Sequence, residues 1–143
     1  MRYVAYKSQQ RDPDSDEFMG ITSAAMQLSS QDKGGLSVTW IEHFGLFNFQ
    51  SKRLAAVAFR NSLDSKKLGG NAVFATAQVE KIVEAGISSG KSIRVVHDPV
   101  PNNGGHAEVR HFTKDDITLL DYLAIAIFDD IDKVSDLNIK NIL

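Results

Sequence analysis

The sequence predicts a single α+β domain over residues 1–143, with a mixed or antiparallel sheet and helices packed on one face. Three observations lead there. A chain of 143 residues with 43% hydrophobic and 24% charged residues has the size and composition of one globular domain. Several short segments alternate apolar and polar residues with the period of two that a half-buried strand requires. Between them run segments with helical recurrence, separated by Gly, Pro, Asn and Asp punctuation.

Arg2–Lys7 carries aromatic and β-branched residues in alternation and reads as a strand. Ser8–Gly20 is polar, holds Pro13 and four acids, and reads as a loop, while Ile21–Leu28 is ambiguous. After the Gly34-Gly35 break, Leu36, Val38 and Trp40 alternate with Ser37, Thr39 and Ile41, a second strand. Ser51–Leu63 reads as a helix, with Ser51 as candidate cap and Leu54, Val57 and Ala58 on one face. Asn71–Gly86 is either a short strand, Val73–Ala75, followed by a helix from Thr76, or one continuous helix stopped at Gly86. Ser92–Val96 and His106–Phe112 read as strands around Asp98–Gly105, a loop with two prolines, two asparagines and two glycines. Thr113–Ile131 reads as the longest helix, opened by a capping pair Thr113 and Asp116. Ile117, Leu120, Ala124, Ile127 and Ile131 recur on its inner face, with Asp121 and Asp129 outward. The tail Asp132–Leu143 suits a short final helix or strand.

Composition removes whole classes of function. There is no cysteine, so thiol nucleophiles, disulfide scaffolds, iron–sulfur centres and thiolate zinc sites are excluded. The net charge of −2 is not that of a polycation, although nucleic acid stays open as a partner. No stretch reaches the ~20 apolar residues of a membrane span, and the first residues lack a secretory core, so a soluble cytoplasmic protein is expected with no membrane contact.

Ala85-Gly86-Ile87-Ser88-Ser89-Gly90-Lys91-Ser92 fits a relaxed phosphate-loop pattern. That chemistry needs a strand before the loop and a helix after it; the order read here is the reverse, so a Gly- and Ser-rich turn is expected. Asp12-Pro13-Asp14-Ser15-Asp16-Glu17 alternates carboxylates as calcium loops do. It lacks the Gly at the sixth position and the Glu at the twelfth, and reads as a solvated loop.

Two constellations carry function. In the segment Trp40–Phe49 the aromatic residues Trp40, Phe44, Phe47 and Phe49 either pack beneath the sheet or form an apolar surface for a protein partner. The hairpin around Asp98–Gly105 gathers His97, Asp98, His106, Glu108 and Arg110. Alternation puts His106, Glu108 and Arg110 on one face. Convergence of His97 or Asp98 with His106 and Glu108 would supply metal ligands or a general acid and base, with Arg110 stabilising an anion. His106-Ala107-Glu108 lacks the cysteine pair of zinc deaminases, and no His-Glu-x-x-His occurs.

Charge is also uneven. Residues 52–94 hold eight basic and three acidic residues, and residues 114–136 hold two basic and seven acidic. Such a division can steer an anionic partner or support self-association. The reading is therefore a small interaction or regulatory protein acting through the aromatic segment and its charged faces. The alternative is a small hydrolase or nuclease built on the histidine–carboxylate hairpin, with or without a divalent metal. No pattern names a cofactor, and whether the chain is an enzyme is left open.

Overall fold

A computed structural model describes residues 1–28 and 34–140. Among these the chain forms eight strands and three α-helices: β1 Arg2–Val4, β2 Gln9–Arg11, β3 Phe18–Ile21, β4 Gly35–Thr39, α1 Phe49–Ser62, β5 Val73–Thr76, α2 Val79–Ser88, β6 Arg94–His97, β7 His106–Arg110, α3 Ile117–Tyr122 and β8 Asp130–Lys133. All pairings are antiparallel, in the orders β1-β5-β8, β2-β3 and β4-β7-β6. The α+β class expected from the alternation is the one the chain adopts. No helix among the described residues is long and apolar enough to cross a membrane.

The two three-stranded sheets meet at one reciprocal pair: Met1 N donates to Thr39 O and Thr39 N to Met1 O, both at 2.8 Å. Period-two alternation then sorts the core. Val73 and Ala75 of β5 join Leu36, Val38 and Val109 in a cluster completed by α2, α3 and the segment that follows α3. Phe74 points the other way, into a second cluster with Ala55, Ala56 and Val57 of α1, where Tyr3 and Phe59 pack at 5.6 and 5.8 Å from its ring. On the β4-β7-β6 sheet the apolar face meets the helices, while Ser37, His106, Glu108 and Arg110 share the other face.

Several elements depart from the sequence reading. The first strand stops at Val4, and Tyr6–Ser8 forms a 3-10 turn. Ser8–Gly20 is not a plain loop: it carries β2 and most of β3, joined around Asp12, whose Oδ1 accepts from the N–H groups of Asp14 and Ser15 at 2.8 Å. Helix α1 begins two residues earlier than expected. Asn48, not Ser51, is its cap, with Asn48 Oδ1 accepting from Ser51 N at 2.9 Å. Of the two readings for Asn71–Gly86, strand then helix is correct. Gly86 does not stop α2 but lies inside it, where a Cβ would meet Ile93 at 2.7 Å, so glycine there permits close packing.

The largest departure is the helix expected over 113–131. Asp116 Oδ2 does accept from Thr113 N at 2.7 Å, but this pair closes a turn ahead of a helix that starts only at Ile117. After Tyr122 the backbone widens to a π-helical segment, Leu123–Ile127, and the chain then leaves the helix and forms β8. The inserted residue of a π segment shifts the helical phase. Leu120, Ala124 and Ile127 are buried as expected, but Ile117 is 65% exposed and Ile131 belongs to a strand. In β8, Asp130 and Asp132 face Lys52 while Ile131 packs on the main core. The last three tail residues lie outside the described ones.

Candidate functional site

Where the two sheets meet they leave a cleft of about 810 Å³, within the size range of small-ligand sites, ~300–1,000 Å³. Its inner wall is apolar, from Val38, Val95, Ala107, Ile127 and Phe128. Trp40, Phe47 and His97 also line it, as does the first turn of α2. The connection from β4 to α1 builds the aromatic side. It makes a 3-10 turn over Ile41–Phe44, then Gly45 adopts φ 134, a left-handed-side conformation that favours glycine.

The loop between β6 and β7 seats this segment. Trp40 N donates to Gly105 O at 2.7 Å. A Cβ on Gly104 would lie 2.9 Å from His43 Nε2, and one on Gly105 would lie 2.6 Å from Phe44 Cε2. The two glycines are therefore there for close approach. The tight return is supplied instead by Asn102, at φ 66. His97 completes the ring cluster, edge-on to Trp40 and tilted to His43 with ring centroids 5.6 Å from both, and its Nε2 is bonded to Gly104 O at 2.7 Å.

Two polar features of the cleft have no sequence signature. Thr76 is only 6% exposed, and its Oγ1 has no hydrogen-bond partner. An unpaired buried hydroxyl costs roughly 1–3 kcal/mol, which a ligand group can recover. The cleft is also lined by Glu42, Glu80, Asp129 and Asp130 against Lys81. Of these, Asp130 is matched by Lys52, whose Nζ lies 2.9 Å from it and 2.8 Å from Asp132.

Asp98, His106, Glu108 and Arg110 gather on one face of the hairpin, but His97 does not join them. His97 pairs in register with Ala107, so it shares the apolar face and lines the cleft, whereas His106 and Glu108 lie on the opposite face. There His106 bonds Asp98 O through Nδ1 at 2.6 Å and Ser37 Oγ through Nε2 at 3.2 Å. Arg110 Nε holds Glu108 Oε2 at 2.8 Å, and Arg110 Nη2 approaches Asp98 Oδ2 at 4.0 Å. Each group is occupied, His106 by partners outside its own strand and Glu108 by Arg110 two residues along the same strand. Among the described residues, no cluster of three or more His, Asp or Glu is placed to hold a metal ion.

No family model, curated protein or solved structure is significantly similar to this chain. The geometry alone must therefore decide among the sequence candidates. The Gly- and Ser-rich segment before Lys91 has a helix ahead of it and a strand behind, the reverse of a phosphate loop. Lys91 Nζ is held by Asp116 Oδ1 at 3.1 Å. Bound to Thr113 N–H first and to Lys91 second, the Asp116 carboxyl lies below its ordinary pKa. Lys91→Ala is accordingly expected to leave any binding of magnesium ATP as it is in the parent chain, measured by titration calorimetry. Loss of a saturable isotherm in the variant would restore the phosphate-loop reading. The Asp12–Glu17 segment is likewise engaged internally, with Asp16 accepting from the Tyr6 hydroxyl at 2.6 Å.

The uneven charge of the sequence is partly cancelled inside the fold. Lys52 and Lys91 of the basic tract pair with Asp130, Asp132 and Asp116 of the acidic one. Arg60, Lys66, Lys67 and Lys140 line a second groove of about 480 Å³.

Proposed function

We propose that this chain is a cytoplasmic protein-docking module whose contact surface is the Trp40–Phe49 segment. One observation carries the reading: Leu46, Phe47, Phe49 and Trp40 are 86, 53, 55 and 44% exposed within a single short stretch. Single exposed apolar residues are ordinary, but four large ones in ten residues are a surface that a partner can cover. The stretch is also held in one conformation, by the Gly104 and Gly105 contacts on one side and by Asn48 capping α1 on the other. A fixed apolar ridge loses little conformational entropy on binding, which favours recognition. Lys52 Nζ stands 5.5 Å from the Phe47 ring and the Arg53 guanidinium 6.0 Å from that of Phe49, which steadies both rings without covering them. The cysteine-free composition suits a reducing compartment.

The occupant is an apolar segment of another protein. Panning a displayed library of random peptides against the chain is expected to enrich sequences with bulky apolar residues. A Leu46→Ser, Phe47→Ser double variant is expected to bind the enriched peptides at least ~10-fold more weakly, about 1.4 kcal/mol. Its thermal melting should match the parent, because both side chains are exposed. Enriched peptides that bind the variant as tightly as the parent would overturn the reading. A concentration-dependent dimer by sedimentation, lost in the variant, would overturn it in favour of a second copy of this chain.

A further inference from the structure

We infer that the cleft beside the ridge is a receptor for a lysine or arginine side chain of the docked partner. This rests on the docking reading, and it adds the chemistry of the partner. The orphaned Thr76 Oγ1 is the first observation: a hydroxyl more than nine-tenths buried, in a cleft wall, with a lone pair free to accept from an N–H donor. Charge is the second. Glu42, Glu80 and Asp129 line the cleft without an ion pair among the described residues, and Asp130 shares its lysine with Asp132. Among the described residues, Lys81 is the one Lys or Arg side chain in the lining; Met1 lines it too, but burial pushes the pKa of its amino group down to about 5, so it adds little charge at neutral pH. The remaining negative charge outweighs both Lys81 and the half-charge at the start of α2, so the cleft selects a cation over an anion.

Shape is the third observation. The apolar wall from Val38, Val95 and Ile127 suits a methylene stem, and the Trp40 and Phe47 rings suit a charged head passing between ridge and cleft. A side chain that carries both parts is a lysine or an arginine. Trp40 and Phe47 belong to ridge and cleft alike, so one partner segment can cover the first and fill the second.

The test uses single residues as probes against the whole chain. Amide shifts in two-dimensional NMR are followed during titration with Nα-acetyl-lysine methylamide and its arginine analogue. The neutral norleucine analogue and the anionic glutamate analogue serve as comparisons. The two basic probes are expected to move the amides of Thr76, Ala77, Gln78 and Asp129 at millimolar concentration, with the norleucine probe at least several-fold weaker. Thr76→Val should weaken the lysine probe several-fold, and Asp129→Asn should do so independently should the first variant lose stability. Equal response to norleucine and lysine, or preference for the glutamate probe, would overturn the inference and leave the docking ridge standing. So would no response in the cleft to any probe. Binding of the lysine probe with no peptide docking on the ridge would instead overturn the docking reading and leave a cation site.

Discussion

Leu120→Ala is expected to destabilise the chain by about 2–5 kcal/mol, through lost transfer free energy together with the cavity left behind. Leu120 is fully buried in the larger core cluster, where Met26, Leu36, Val109 and Leu123 are fully buried too. These neighbours come from four different elements, so no single one can move in to fill the space. Ile117→Ala is the matched control. Three residues earlier on the same helix, Ile117 is 65% exposed, and its truncation should cost no more than ~0.5 kcal/mol. Urea unfolding with an unchanged slope checks both. Equal loss in the two variants would mean that the helix buries the face the sequence periodicity assigns, with Ile117 inside.

That comparison also shows what was legible in the sequence. Alternation located β4, β6 and β7, because each carries one apolar face over several residues, as Leu36 and Val38 do opposite Val109 and Ala107. Helices α1 and α2 were visible from their recurrence. The final helix was overextended because Leu119–Phe128 is apolar almost throughout, and an apolar run does not reveal where helix gives way to strand. The alternation of Asp130 and Asp132 with Ile131 covers too few residues to compete with that run. Strands β2 and β3 were hidden for a related reason: they are three and four residues long, β2 is polar throughout, and an acidic turn separates them.

For the site, residue type alone singled out the aromatic segment and the histidines as candidates. The face that each histidine takes followed from register, His97 against Ala107, and register depends on the loop between them. Thr76 was illegible. A threonine at the end of a strand is ordinary, and only the packed fold shows that its hydroxyl has been left without a partner.

Lys52→Ala is expected to cost about 3 kcal/mol and to loosen the Trp40–Phe49 ridge proposed for docking as well. Lys52 Nζ donates to Asp130 Oδ1 and Oδ2 at 3.0 and 2.9 Å and to Asp132 Oδ2 at 2.8 Å, with its side chain 11% exposed. Removing one member of a buried charge cluster costs ~3–5 kcal/mol, because the opposite charges stay behind. The lower end applies here, since the Asp130 side chain is 44% exposed and water screens part of the repulsion. Burial alone would lower the Lys52 pKa, but the hydrogen bonds it donates to Asp130 and Asp132, with their negative charge, outweigh it and the net shift is upward. With the folded pKa above the unfolded one, this contribution is fully present below pH about 10.5 and is lost as pH rises through the folded value. The parent should therefore lose stability on the alkaline side, and Lys52→Met should show less of that loss. Adding Asp130→Asn and Asp132→Asn to Lys52→Met removes the stranded carboxylates, and stability at neutral pH is expected to recover toward the parent. The same substitutions take the cation away from the Phe47 ring. Restored stability with weakened peptide docking would show that Lys52 joins α1 to β8 and also steadies the ridge. A triple variant as unstable as Lys52→Ala would mean that stranded carboxylates are not the source of the loss, and that the Lys52 hydrogen bonds themselves hold α1 against the sheet, since methionine keeps an apolar stem.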